Sequence, residues 1–151
     1  ALNFNDTEVT NKGELETPSE LAAYTSSQLL GRANTVRYES SSPKENFQFS
    51  ATLQKPTSTF MAKLNRWGEV TIPQSTVERE QVLGAKWTMD MEYSFQANSQ
   101  ARLSFGVNNL FDVYPDKTIK RNSFNGIFQH SGYSPFGFFG RYIYTRLDVT
   151  L

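Results

Sequence analysis

The chain has 151 residues, enough for one domain with its own core and too few for a second. Fifteen Lys and Arg against fifteen Asp and Glu leave no net charge, so no whole-chain field draws it to nucleic acid, which is disfavoured as a partner. The absence of cysteine removes disulfides, thiolate metal sites and cysteine nucleophiles, and no run approaches the roughly 18 apolar residues of a transmembrane helix, a test to which a transmembrane β-barrel is blind. Twelve Phe, seven Tyr and two Trp combined with a negative mean hydropathy suit strands that are apolar on one face only. Ala1 is neither Met nor the start of a charged and apolar leader, and a processed, trimmed or fragmentary chain is expected.

Six strands are predicted. Residues 1–10 alternate weakly, with Leu2 and Phe4 on one side. Residues 45–54 set Phe47, Phe49, Ala51 and Leu53 against Asn46, Gln48, Ser50, Thr52 and Gln54. Residues 58–70 place Phe60, Ala62 and Leu64 opposite Met61, Lys63 and Asn65. The clearest alternation is 84–96, where Ala85, Trp87, Met89, Met91, Tyr93 and Phe95 oppose Lys86, Thr88, Asp90, Glu92, Ser94 and Gln96. In 101–112, Ala101, Leu103, Phe105 and Val107 share a face, and in the last strand, about 140–151, Ile143, Thr145, Leu147, Val149 and Leu151 do.

Connections alternate between short and long. Lys55-Pro-Thr-Ser58 and Ala97-Asn-Ser-Gln100 are tight polar turns, whereas 11–44, 71–83 and 113–139 are long. Short turns at one end and long loops at the other are the habit of outer-membrane barrels, with the C-terminus at the short, periplasmic end. Strands of ten to twelve residues tilted by about 45° span roughly the 25 Å apolar band of such barrels. A soluble sandwich or small barrel, binding a glycan or a protein, is the alternative, since it too pairs apolar and polar faces.

Thr17-Pro18-Ser19-Glu20 is a helix-start signal in the first long loop, with Gly31 as its stop; it fits a lid over a barrel mouth or a helix filling loop volume. The last long loop is dense in aromatics, and Phe124, Phe128, His130, Tyr133, Phe136 and Phe138 are its candidates for substrate contact; the same rings also suit a local mini-core or an interfacial girdle. His130, the only histidine, has no partners at metal spacing and reads as a hydrogen-bonding loop residue. Asp90 and Glu92 share a strand face at a spacing compatible with glycosidase-type pairing, but ordinary polar lining explains them better. No phosphate loop or nucleophile elbow is present, so no enzymatic activity, cofactor or metal is expected.

Four segments stand out: the opening Asn3-Phe-Asn-Asp-Thr-Glu-Val9, Arg66-Trp-Gly-Glu-Val70, Phe105-Gly-Val-Asn-Asn-Leu-Phe-Asp-Val-Tyr-Pro115 and Ser134-Pro-Phe-Gly-Phe-Phe-Gly-Arg-Tyr-Ile-Tyr-Thr-Arg146, the last two being specific in combination. On these the chain resembles, along its whole length, the C-terminal part of a TonB-dependent outer-membrane receptor. That resemblance implies an all-β antiparallel meander of about six strands forming the end of a 22-stranded transmembrane β-barrel. Phe47, Phe49, Leu53, Trp87, Met89, Met91, Tyr93, Phe95, Leu103, Phe105, Val107, Ile143, Leu147, Val149 and Leu151 would then face outer-membrane lipid of a Gram-negative bacterium. The plug and the TonB-contacting box of that family are not in the sequence; energy for importing a ferric siderophore, haem, cobalamin or oligosaccharide would reach the barrel through them. The family usually ends on an aromatic residue, whereas this chain ends on Leu151, so either an aliphatic end is tolerated or residues have been lost. Six strands alone leave two unpaired edges through which the piece is expected to self-associate.

Overall fold

The computed structural model describes residues 1–10, 19 and 31–150. The helix signal at Thr17 and the terminal Leu151 lie outside them. Six strands form one antiparallel sheet in sequential order: β1 (Leu2–Phe4), β2 (Glu45–Gln54), β3 (Ser58–Trp67), β6 (Lys86–Gln96), β7 (Ala101–Asn108) and β8 (Tyr142–Val149). The sheet is open, with β1 and β8 as its edges. A helix, α1 (Arg32–Glu39), precedes β2, and a hairpin of β4 (Val70–Ile72) and β5 (Gln81–Leu83) stands between β3 and β6.

Register turns the alternation of each strand into two continuous faces. Leu53, Phe60, Tyr93, Phe105 and Thr145 lie abreast in one row, and Ala51, Ala62, Met91, Val107 and Ile143 in the next. On the opposite face Gln54, Thr59, Ser94, Ser104 and Arg146 form the corresponding row. Polar turns close the hairpins at one end: Lys55 and Ser58 exchange backbone hydrogen bonds, and the Asn98 carboxamide accepts from the N–H groups of Gln100 and Ala101 at 2.9 and 2.8 Å. The three long connections all emerge at the other end.

The burial pattern is inverted relative to a water-soluble domain. Asn65, Thr88, Ser94 and Ser104 on the polar face are 0–5% exposed, whereas Phe49, Leu53, Ile143 and Leu147 on the apolar face are 58–73% exposed. The buried aliphatic side chains among the described residues are Val36, Val70, Ile72 and Leu83. None belongs to the main sheet: Val70, Ile72 and Leu83 of the β4–β5 hairpin form a small core inside the loop region, and Val36 comes from α1.

Several boundaries differ from the sequence expectation. The first strand covers only Leu2–Phe4 rather than residues 1–10. β3 stops at Trp67 rather than at residue 70, because Gly68 brings its backbone against Glu45, its N–H donating to the Glu45 carbonyl at 2.9 Å, where a Cβ has no room. Val70 then starts a new strand that pairs within the loop. β7 ends at Asn108 rather than at residue 112. Gly31 is the residue from which α1 begins, and the helix it was expected to stop lies outside the described residues.

Candidate functional site

Asn109 and Asp112 account for the end of β7. Both adopt positive φ, 53° and 58°, a region tolerated best by Asn, Asp and Gly. The Asn109 carboxamide donates to the Val113 carbonyl at 2.8 Å and accepts from the Val113 N–H at 2.9 Å, while Asp112 Oδ1 accepts from the Arg141 N–H at 2.8 Å. The Asn-Asn-Leu-Phe-Asp motif is thus a strand-ending clasp that fixes where the last loop leaves and returns.

The loops are stitched into one body. From the first connection, Arg32 makes a two-pronged ion pair with Glu80, Nε to Oε1 at 2.6 Å and Nη2 to Oε2 at 2.8 Å, and the Thr71 N–H donates to the Ser40 carbonyl at 2.7 Å. Between the second and third connections the Gln81 carboxamide pairs like a piece of backbone, donating to the Lys117 carbonyl at 2.7 Å and accepting from the Ile119 N–H at 2.9 Å. Asn122 donates to the Arg79 carbonyl at 2.7 Å. Asp116 closes the joint, accepting from the Gly84 N–H at 2.7 Å and from Lys86 Nζ at 2.6 Å. The Lys86 ammonium, followed by the Gly84 N–H, holds the Asp116 carboxyl below its ordinary pKa.

Two hollows result. The first, about 400 Å³, lies between the second and third connections, with Ile72 and Gln74 on one side and residues from Thr118 to Phe138 on the other. Phe128, His130, Tyr133 and Phe138, four of the six loop residues singled out from sequence, line it. Phe124 does not: it sits exposed with φ 49° beside Asn125 and Gly126, also at positive φ. Nor does Phe136, which the Ser134–Gly137 turn lays over the polar face against Trp67, ring centroids 6.4 Å apart. Thr118, Asn122 and Gln74 line the hollow too and were not anticipated. His130 stacks on Tyr114 at 5.3 Å, and its buried Nδ1, like the buried Oγ1 of Thr118, has no hydrogen-bond partner among the described residues. The expected hydrogen-bonding role is therefore unfilled at that nitrogen.

The second hollow, about 500 Å³, is a basin on the polar face of the sheet, bordered by Lys63, Asp90, Asn109 and Phe136. The face around it carries several separate hydrogen-bonded clusters, with the buried Ser104 hydroxyl outside them. Gln48 donates to Asn65 at 3.1 Å, Asn65 to Asp90 at 3.3 Å, and the Asn109 N–H to Asp90 at 2.8 Å. Trp67 donates to Thr88 at 3.0 Å, and Arg102 to Ser94 and Thr59 at 2.7 and 2.9 Å. Glu92 accepts from the Tyr144 hydroxyl at 2.7 Å and from Arg146 at 3.0 Å. Asp90 and Glu92 thus serve separate networks rather than one carboxylate pair.

The lipid-facing candidates from Phe47 to Val149 all fall on the opposite, apolar face. At its loop end this face stops at charge: Arg66 pairs in register with Phe47 and Trp87, and its guanidinium bonds to Glu45. Phe47 meets Trp87 edge to face at 6.0 Å. Among the described residues no helix is long and apolar enough to cross a membrane, which says nothing of strands, and no group of three acidic or histidine side chains is placed to hold a metal ion. No family model, curated protein or solved structure matches the chain.

Proposed function

We propose that the chain is a wall segment of a Gram-negative outer-membrane β-barrel, the C-terminal part of a TonB-dependent importer of a scarce, bulky nutrient such as a ferric siderophore, haem, cobalamin or oligosaccharide. The observation that carries this reading is the inverted sheet. An apolar face left open across all six strands, backed by a polar face whose buried side chains are hydrogen-bonded to their neighbours apart from the Ser104 hydroxyl, is costly in water and favourable when the first face meets lipid and the second a wet lumen. The 11 residues of β6, rising about 3.3 Å each and tilted by about 45°, reach roughly 25 Å, the height of an outer-membrane apolar band. Arg66, Glu45 and Trp87 then sit where headgroups begin. In this setting β1 and β8 pair with further strands, the stitched loops face the outside, and the basin beside Asp90 faces the lumen and its plug, through which TonB acts.

Fractionation of cells producing the intact protein tests the assignment. Recovery with the outer membrane, released by detergent and not by salt or carbonate, is expected. Recovery as a detergent-free periplasmic protein would contradict it.

A further inference from the structure

We infer that a groove on the apolar face of β6, β7 and β8, bordered at its loop end by Arg141, is a site for a phosphorylated membrane lipid, with an acyl chain along the groove and the phosphate on the Arg141 guanidinium. This deepens the wall-segment reading and rests on it for the lipid that meets the face. The groove measures about 350 Å³. Met91 and Tyr93 from β6, Phe105 and Val107 from β7 and Ile143 from β8 line it, and Phe60, abreast of Tyr93 on β3, borders them. Large and small apolar side chains side by side leave a furrow in which a chain of methylene groups finds close contacts.

Two observations place a phosphate at its end. First, Arg141 is a charge at the margin of the apolar face. It stands two residues before Ile143, on the side that Ile143, Leu147 and Val149 share by alternation, and it lines the groove. A long cationic side chain is tolerated there where its head reaches the headgroups. Its backbone is held by the clasp that ends β7, the Arg141 N–H donating to Asp112 Oδ1 at 2.8 Å. Second, the guanidinium is nearly unspent. Its side chain makes one long hydrogen bond, Nη1 to the Leu110 carbonyl at 3.4 Å, and among the described residues no carboxylate pairs with it, whereas Arg32, Arg66 and Arg146 each pair with a Glu. Glu92, which also borders the groove, has its carboxylate engaged by Tyr144 and Arg146 of the polar face at 2.7 and 3.0 Å. A guanidinium fork matches two oxygens of a phosphate. A soluble anion would leave the furrow open and an uncharged lipid would leave the guanidinium unpaired; a phosphorylated lipid satisfies both.

The test uses the intact protein, delipidated in a neutral detergent and titrated with phosphatidic acid or phosphatidylcholine, with bound lipids counted by native mass spectrometry. The first phosphatidic acid is expected to bind about fivefold more tightly than the first phosphatidylcholine, whose phosphate is offset by its choline. Arg141→Gln should bring the two within about twofold. Arg66→Gln, which removes the same charge from an ion pair with Glu45 on the same face, should leave the preference standing. Binding of neither lipid, equal binding of both, a preference that survives Arg141→Gln, or one lost equally in Arg66→Gln would each overturn the inference, the last by showing general charge attraction. Displacement of phosphatidic acid by inorganic phosphate would overturn it too, by placing the affinity in the anion alone. A protein that stays dispersed and lipid-free once detergent is removed would take away the wall-segment reading; lipid bound without preference removes this inference alone.

Discussion

Two residues show how closely the polar face and the loops are fitted. Gly106 on β7 lies directly beneath the Tyr144 ring of β8, so that a Cβ there would fall on the ring, and the ring cannot swing away freely because its hydroxyl donates to Glu92 at 2.7 Å. Gly106→Ala should therefore destabilise the sheet by about 1–3 kcal/mol. In a double-mutant cycle most of that loss should vanish in a Tyr144→Ala background; purely additive effects would contradict the contact. Asp116 is the other case. Its pKa is depressed in the folded loops, so its contribution is fully present above the ordinary carboxylate value of about 4 and is lost as pH falls through the lower folded value. Spin labels at Val77 and Ile119, on the two loops that Asp116 joins, should give a narrow distance distribution near neutrality that broadens only once acid takes the pH below the depressed folded value of Asp116. Asp116→Asn should be broad throughout, and a variant as narrow as the wild type at neutral pH would show that the latch does not hold the loops.

At the scale of elements, the apolar and polar faces respond oppositely to charge. Ala51 and Ser50 are neighbours on β2, both exposed, on opposite faces. In lipid, Ala51→Lys should cost about 2–4 kcal/mol and Ser50→Lys less than about 1, read from denaturant unfolding in bilayers. A sheet in water on both faces would accept both alike. The same alternation made the strands legible in sequence: where one face is apolar and the other polar, a period of two fixes strand, face and register together. β2, β3, β6, β7 and β8 were recoverable for that reason, and the tight turns after Gln54 and Gln96 by their polar residues. What escaped lacks such a period. α1 buries a single side chain, Val36, so Arg-Ala-Asn-Thr-Val-Arg-Tyr-Glu carries no apolar stripe. The β4–β5 hairpin is only three residues per strand and looked like a continuation of β3 because Val70 preserves the alternation past Gly68. The aromatic loop was visible by composition, but the cavity was not, since its other wall, Ile72 and Gln74, comes from a distant connection that only folding brings near.

At the scale of the whole molecule, the described residues keep their few buried aliphatic side chains in the loop body and leave the broad sheet face uncovered. The stability of the sheet must therefore come from its ladders, from the polar network on one side and from whatever covers the other. Without lipid or detergent, the open β8 edge and the apolar face should drive association, giving a sedimentation coefficient that rises with concentration. A concentration-independent monomer in plain buffer would oppose this. The most direct measurement is a nitroxide scan along β6 and β8 in lipid bilayers, comparing collision with oxygen, which enriches in the membrane, and with a water-soluble nickel chelate. Oxygen access is expected at Met89, Met91, Tyr93, Ile143 and Leu147, and nickel access or burial at Asp90, Glu92, Ser94, Tyr144 and Arg146, in strict alternation. Uniform nickel access on both faces would contradict the membrane-wall account at its root.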